Sequence, residues 1–183
     1  MRWISPTSTS AYVNLFIANK MLTENINLGA GVVVDPSSSI NNIKIGNNVK
    51  IAKGCSVFGS AEFILHVGES TYIGPHSFIQ GYAAAIEIGN FVSIAQHVNI
   101  MSSSGPNASP LMQKYFPIVK KNVKIGDHSW IGANAVIMPG VILGKFCVVA
   151  ANSFVNNCFD DFSVVGGNPA RLIKKLDPEI VSL

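Results

Sequence analysis

Four histidines, His66, His76, His97 and His128, are the side chains of this 183-residue chain best suited to exchange a proton near neutral pH. Three share one address, three residues after an isoleucine: His76 after Ile73, His97 after Ile94 and His128 after Ile125. An imidazole held within hydrogen-bond reach of an acceptor hydroxyl or amine can act as its general base. Basic residues gather at Lys120, Lys121 and Lys124 and again at Arg171, Lys174 and Lys175. With a net charge of only +3, these suit a local anion better than a nucleic acid. Cys55, Cys147 and Cys158 lack metal-ligand spacing and cannot all pair, so they read as free thiols in a reducing compartment.

The elements that position these residues follow a beat of six. In IGNFVSIAQHVNI the aliphatic positions are Ile88, Ile94 and Ile100; in KIGDHSWIGANAVIM they are Ile125, Ile131 and Ile137. Six is neither the helical period of 3.6 nor a strand alternation of two. It describes a chain that turns a corner after each short strand, three strands closing one triangular turn of a parallel β-helix. The beat extends to Leu28, Val34 and Ile40; Ile45, Ile51 and Val57; Val67, Ile73 and Ile79; and Leu143, Val149 and Val155, about six coils in all. Positions three after an aliphatic fall at corners. Ile73 and Ile94 come second in their coils, so His76 and His97 should stack on one edge. Ile125 comes first, which puts His128 on another edge, over Phe91.

Composition agrees: 48% hydrophobic and 13% charged residues imply a large interior, with part of the outside covered by other copies of the chain. Runs such as Gly46-Asn47-Asn48 and Gly89-Asn90 supply corner residues. Residues 1–27 stand outside the repeat, and the helical spacing in Ala11 to Leu22 predicts a short helix capping the first coil. The β-helix proper spans 28–166, interrupted by an excursion over 101–123, MSSSGPNASPLMQKYFPIVKKNV; a loop of that length in a compact repeat is usually functional. Over 167–183, Asn168-Pro169 predicts a short helix from Ala170 to Leu176. No secretory signal is read at the N-terminus and no apolar run is long enough to span a bilayer, so a cytoplasmic location is expected.

The ladder, its excursion, the run IGDHSWIGANAVIMPGVILG, the following VVAANSFV and the closing VVGGNPARLIKKL resemble the left-handed β-helix, hexapeptide-repeat acyltransferases. The resemblance covers roughly 28–176 and is strongest to sugar and polysaccharide O-acetyltransferases, a branch that includes galactoside, maltose and xenobiotic acetyltransferases. It implies an all-β fold with left-handed coils and acetyl-CoA as acyl donor along the C-terminal coils, with no metal. It further implies a sugar hydroxyl as acceptor in surface polysaccharide or lipopolysaccharide biosynthesis, and a homotrimer with active sites between subunits, the excursion reaching the adjacent copy.

By the same resemblance, Trp130 lines the acyl-transfer site and Ala133 and Ala151 are corners whose backbone meets the pantetheine arm. Asn156 matches a polar position near the cofactor, and Arg171 and Lys174 match tail positions that meet the nucleotide phosphates. One departure stands out. The family's catalytic histidine falls five or six residues after the last aliphatic position before the loop, and here Gly105, Pro106 and Asn107 hold that place, none able to accept a proton. His97, on the coil that launches the excursion and stacked on His76, is the expected base. A close imidazolium would disfavour protonation of its neighbour.

Other readings stay open. An amine is a better nucleophile than a hydroxyl, so an amino-sugar N-acetyltransferase could rely on positioning, with Ser102, Ser103, Ser104 and Asn107 orienting the acceptor and Tyr115 and Lys114 as further loop candidates. A zinc carbonic anhydrase of the same fold would need three converging histidines, and a non-catalytic scaffold would need no base at all.

Overall fold

The computed structural model describes residues 25–181. The expected helix at Ala11 to Leu22 lies outside the described residues. Short strands wind into a parallel β-helix whose three faces contain six, eight and six strands. The counted beat sets the register. On the first face Leu28, Ile45, Val67, Ile88, Ile125 and Leu143 align. On the second, Val34, Ile51, Ile73, Ile94, Ile131 and Val149 align, and Val165 adds one further rung. The third carries Ile40, Val57, Ile79, Ile100, Ile137 and Val155.

These aliphatic residues point inward and, from Ile45 to Val155, none is more than 3% exposed. Each fully buried isoleucine contributes about 1.5–3 kcal/mol relative to exposure. Leu28, Val34 and Ile40 pack against the core but are only half-buried, as befits the end of a stack. Corners follow their own rule. The residue three after the aliphatic position adopts a left-handed conformation at Asn48, Ser70, Phe91, His128 and Phe146 on one edge, and at Gly54, His76, His97, Asn134 and Asn152 on the next. One position later a small residue turns inward, and its hydroxyl or thiol bridges coils: Ser77 Oγ donates to the Ala95 carbonyl at 3.0 Å and accepts from the Val98 N–H at 3.2 Å. Cys55 and Cys147 occupy the same inward position and donate to the Gly74 and Asp160 carbonyls at 3.2 and 3.3 Å. Burial pushes both thiols up, away from nucleophilic thiolate.

All insertions leave from the edge joining the third face back to the first. The excursion is shorter than its expected span, because Met101 still pairs with Gln80 and Val123 already pairs with Ile86. Its stem is an antiparallel pair, Ser103–Ser104 with Val119–Lys120, and its tip contains a 3-10 turn at Met112–Lys114. Ser102, fully buried at the root, accepts the Ala83 and Ala84 N–H groups at 3.3 and 3.2 Å.

The helix expected over Ala170 to Leu176 is instead a strand, Ala170–Lys175, antiparallel to Ser163–Gly167. Gly167, at φ +104°, helps reverse the chain, and the returning segment pairs with the open edge of the second face. An unpaired edge offers a full row of N–H and C=O partners, a long-range gain that outweighs the local helix-start signal of Asn168-Pro169. A 3-10 turn, Pro178–Val181, follows.

Candidate functional site

His76 and His97 stack as counted, ring centroids 5.2 Å apart and planes 15° from parallel, on the exposed edge between the second and third faces. The cause is backbone geometry. Left-handed φ values of 58° and 56° turn both rings out of the corner, and the coil spacing sets one above the other. Below them the edge carries Gly54, where an added Cβ would lie 2.5 Å from the His76 Nδ1. Above them it carries Asn134 and Asn152 in the same conformation.

His128 lies on the edge between first and second faces, 5.0 Å from Phe91 with planes 2° apart. The stack continues through Phe146 at 4.7 Å and from there to Phe162 at 5.0 Å. Its neighbour Asp127 is held below the ordinary carboxylate range chiefly by the Asn90 N–H, which donates to it at 2.9 Å, and then by Lys145. Both ring faces of His128 are covered by phenyl rings, which makes this histidine a structural rung. His66 faces outward on the first face between Lys44 and Glu87. Among the described residues no three or more His, Cys, Asp or Glu side chains come together as metal ligands.

Trp130, 57% exposed, stands outward on the second face, one strand from Ser93 and one from Val148. That line continues through Val164 to Lys174. Three strand spacings separate Trp130 from Lys174, about 14 Å. Ala133 and Ala151 stack at the corner beside it, on the imidazole edge, where the Asn152 N–H donates to the Ala133 carbonyl at 2.8 Å. Arg171 pairs across from Gly166 at the rim of this corner, its Nη1 donating to the Ala170 carbonyl at 2.9 Å. Lys175 is engaged elsewhere, on the Asp161 carbonyl and Ser163 Oγ at 2.7 and 3.0 Å.

Trp130, Ala133, Ala151, Arg171, Lys174, His76 and His97 therefore share one side of the prism. The remaining candidates do not join them within one chain. Ser104 and Asn107 sit on the excursion, at the edge between third and first faces, as does Tyr115, 81% exposed. Asn156 is exposed just past Val155, on that same edge and away from Ala151. Across the third face between these edges run Phe78, Asn99, Val136 and Phe154.

A broad groove of about 900 Å³ runs along the first face, lined by Lys44, His66, Glu87, Lys124 and Lys145 among others. It is open to water, and two of its lysines are paired, Lys124 with Glu87 at 3.6 Å and Lys145 with Asp127 at 3.5 Å, so it offers little to bind a reacting group. Two residues in line with Trp130 escape a reading that follows histidines alone. Tyr72, Ser93 and Trp130 each immediately precede an inward isoleucine, Ile73, Ile94 and Ile131, and that shared phase places them in one cross-strand row.

Comparison with known proteins agrees with this architecture. The family described as Bacterial transferase hexapeptide (six repeats) matches residues 122–157. WbbJ of Escherichia coli (strain K12), whose name assigns it O-acetyl transfer in lipopolysaccharide biosynthesis, is 31% identical over 161 residues, covering 85% of this chain and 71% of WbbJ. An Escherichia coli dTDP-4-amino-4,6-dideoxy-D-glucose acyltransferase is 29% identical over 165 residues, 85% of either chain. Among solved structures, AntD, an N-acyltransferase from Bacillus cereus in complex with dTDP and 3-hydroxybutyryl-CoA, superimposes with a TM-score of 0.74 at 27% identity, over 84% of this chain and 85% of AntD.

Proposed function

The chain belongs to the bacterial hexapeptide-repeat transferases, and on that premise we propose that it moves an acetyl group from acetyl-CoA to a sugar hydroxyl in surface polysaccharide or lipopolysaccharide biosynthesis. Two of its relatives are named for acyl transfer to a dTDP-amino sugar and for O-acetyl transfer in lipopolysaccharide biosynthesis, and solved structures similar to it hold coenzyme A or its acyl thioesters. The observation that carries the reading is the grouping of Trp130, Ala133, Ala151, Arg171 and Lys174 beside the stacked imidazoles of His76 and His97.

The donor lies along the C-terminal coils of the second face. Corner carbonyl and N–H groups near Ala133 and Ala151 meet the amide-bearing arm, and Lys174 and Arg171 meet phosphate. The thioester rests at Trp130. His97, in its neutral form, takes the proton of the acceptor hydroxyl as that oxygen attacks the thioester carbonyl. It returns the proton to the departing sulfur when the C–S bond breaks, so products are the acetylated sugar and free CoA. His76 stacks beneath and holds the ring in place.

A site built from one chain alone lacks the excursion, which sits across the third face. The enzyme is a homotrimer in which the excursion of an adjacent copy brings Ser104, Asn107 and Tyr115 to the acceptor. Exposed Leu111, Tyr115 and Phe116, at 71%, 81% and 66%, support burial of this tip against another copy. Among the described residues no helix is long and apolar enough to cross a membrane, and a cytoplasmic enzyme using cytoplasmic acetyl-CoA fits that.

Amine transfer is the second reading. It is favoured by the likeness to AntD, an N-acyltransferase, and by the absence of a proton acceptor at Gly105, Pro106 and Asn107. Release of CoA thiol, followed with hydroxyl and amino sugars in parallel and with mass analysis of the product, tests both. Release that depends on a hydroxyl sugar supports the first reading and release that depends only on an amino sugar the second. No sugar-dependent release would defeat both.

A further inference from the structure

We propose that Tyr72, Ser93 and Trp130 form a slot that seats the six-membered ring of the saccharide acceptor, with Ser93 as its floor; this rests on the sugar acyltransferase reading and names the acceptor's place in it. The three residues occupy consecutive strands of the second face in one cross-strand row. Both aromatic side chains stand out into solvent, Tyr72 at 43% and Trp130 at 57% exposure, and the small exposed serine leaves a gap between them.

The width of that gap discriminates between ligands. Two strand spacings put the backbones of the aromatic residues about 9.5 Å apart. A planar base sandwiched between two rings at ordinary contact distance needs about 7–8 Å, whereas a puckered sugar ring, with hydrogens standing off both faces, needs about 1–2 Å more. A backbone spacing of that size is wide enough to admit the puckered ring. Aromatic rings cover the C–H faces of a pyranose, and the Ser93 hydroxyl can donate to or accept from a ring hydroxyl.

The same register sets a second row beside the slot. Tyr72 and His76 belong to one coil, Ser93 and His97 to the next, Trp130 and Asn134 to the third, each pair four residues apart. The row that would hold the sugar and the row that bears the imidazoles thus lie side by side, across the turn from face to edge. On the far side of Tyr72 the row opens into a hollow of about 310 Å³ lined by Val33, Lys50, Ile51, Ala52 and Tyr72. Lys50 is next in line after Tyr72 and is positioned for a phosphate or further polar substituent on the sugar. The second face becomes a track: donor from Lys174 to Trp130, acceptor from Trp130 to Lys50.

The test uses the full chain carrying Trp3→Phe, so that Trp130 is the remaining one of two tryptophans and its fluorescence reports the slot. The probes are dTDP-4-amino-4,6-dideoxy-D-glucose, dTDP alone, and methyl α-D-glucopyranoside at high concentration. At least one sugar-bearing probe should change Trp130 emission where dTDP alone does not. Ser93→Phe should weaken that response at least about tenfold and Tyr72→Ala at least about fivefold, while the Kd for CoA stays within about twofold of the parent. Silence of Trp130 toward both sugar probes, responses unchanged in both variants, or an equal loss of CoA affinity would each overturn the slot. Sugar binding that depends on Ser93 without any acyl transfer would leave the slot standing and count against the enzymatic reading. Sugar-dependent transfer with an unaltered acceptor KM in both variants would remove the slot alone.

Discussion

Replacing His97 by Asn separates the chemistry of the imidazole from its place in the fold. At this corner the backbone has φ 56°, a conformation in which asparagine is well tolerated, and the equivalent corners of the next two coils are already Asn134 and Asn152 at φ 58°. His97→Asn therefore copies a residue the β-helix accepts twice on the same edge. Its structural cost is the lost ring contact with His76, about 0.5–1.5 kcal/mol of stability. If His97 is the base, loss of general-base assistance costs about 10²–10⁴ in rate, equivalent to about 2.7–5.4 kcal/mol of barrier. The two magnitudes can be told apart by measuring kcat from CoA release alongside a urea melt. The expected result is a drop in kcat of at least about a hundredfold with only a small shift in midpoint. His76→Asn, which leaves the base in place, should lower kcat by less than about tenfold. A His97→Asn enzyme with kcat within about threefold of the parent would refute proton transfer by this residue and favour the amine reading.

Ile94→Ala, at the centre of the second-face ladder and fully buried, should lower unfolding free energy by about 2–5 kcal/mol, read as a reduced urea midpoint with unchanged slope. Asp127 is depressed in the fold, so its contribution is present above the unfolded carboxylate pKa and is lost as pH falls through the folded value. Asp127→Ala should thus be less stable at neutral pH by about 0.5–1.5 kcal/mol, with the gap from the parent closing in strong acid; a gap of constant size across the acid range would contradict it. If the excursion buries its tip in the proposed homotrimer, replacing Tyr115 and Phe116 together by serine should shift the particle measured by light scattering from trimer toward monomer and reduce activity in parallel. A trimer of undiminished activity would release the excursion from its role at the interface.

Much of this could be read along the chain because a β-helix is nearly one-dimensional. Each coil meets only its neighbours, so counting by six fixes which residues face inward, which fall at corners and which stand above one another. The stacking of His76 on His97 and of His128 on Phe91 follows from that count alone. Ser93 and Tyr72 were equally countable, but a search guided by proton chemistry passes over them. Counting fails where partners are not set by the repeat. The segment from Ala170 carries a local helix signal after Pro169, yet it forms a strand because a distant, unpaired sheet edge was there to receive it.

From its residues alone this protein determines its ladder, its interior and its corner stacks, since all of these depend on spacing along the chain. Tertiary structure decided where the segments outside the beat go. It returned the C-terminal segment as a strand on the second face, which set Lys174 in line with Trp130 and Arg171 at the rim of the alanine corner. The reason is geometric: a corner insertion preserves the phase of the beat, so the count stays informative through every coil, whereas a segment without the beat is placed by the sheet edge that receives it.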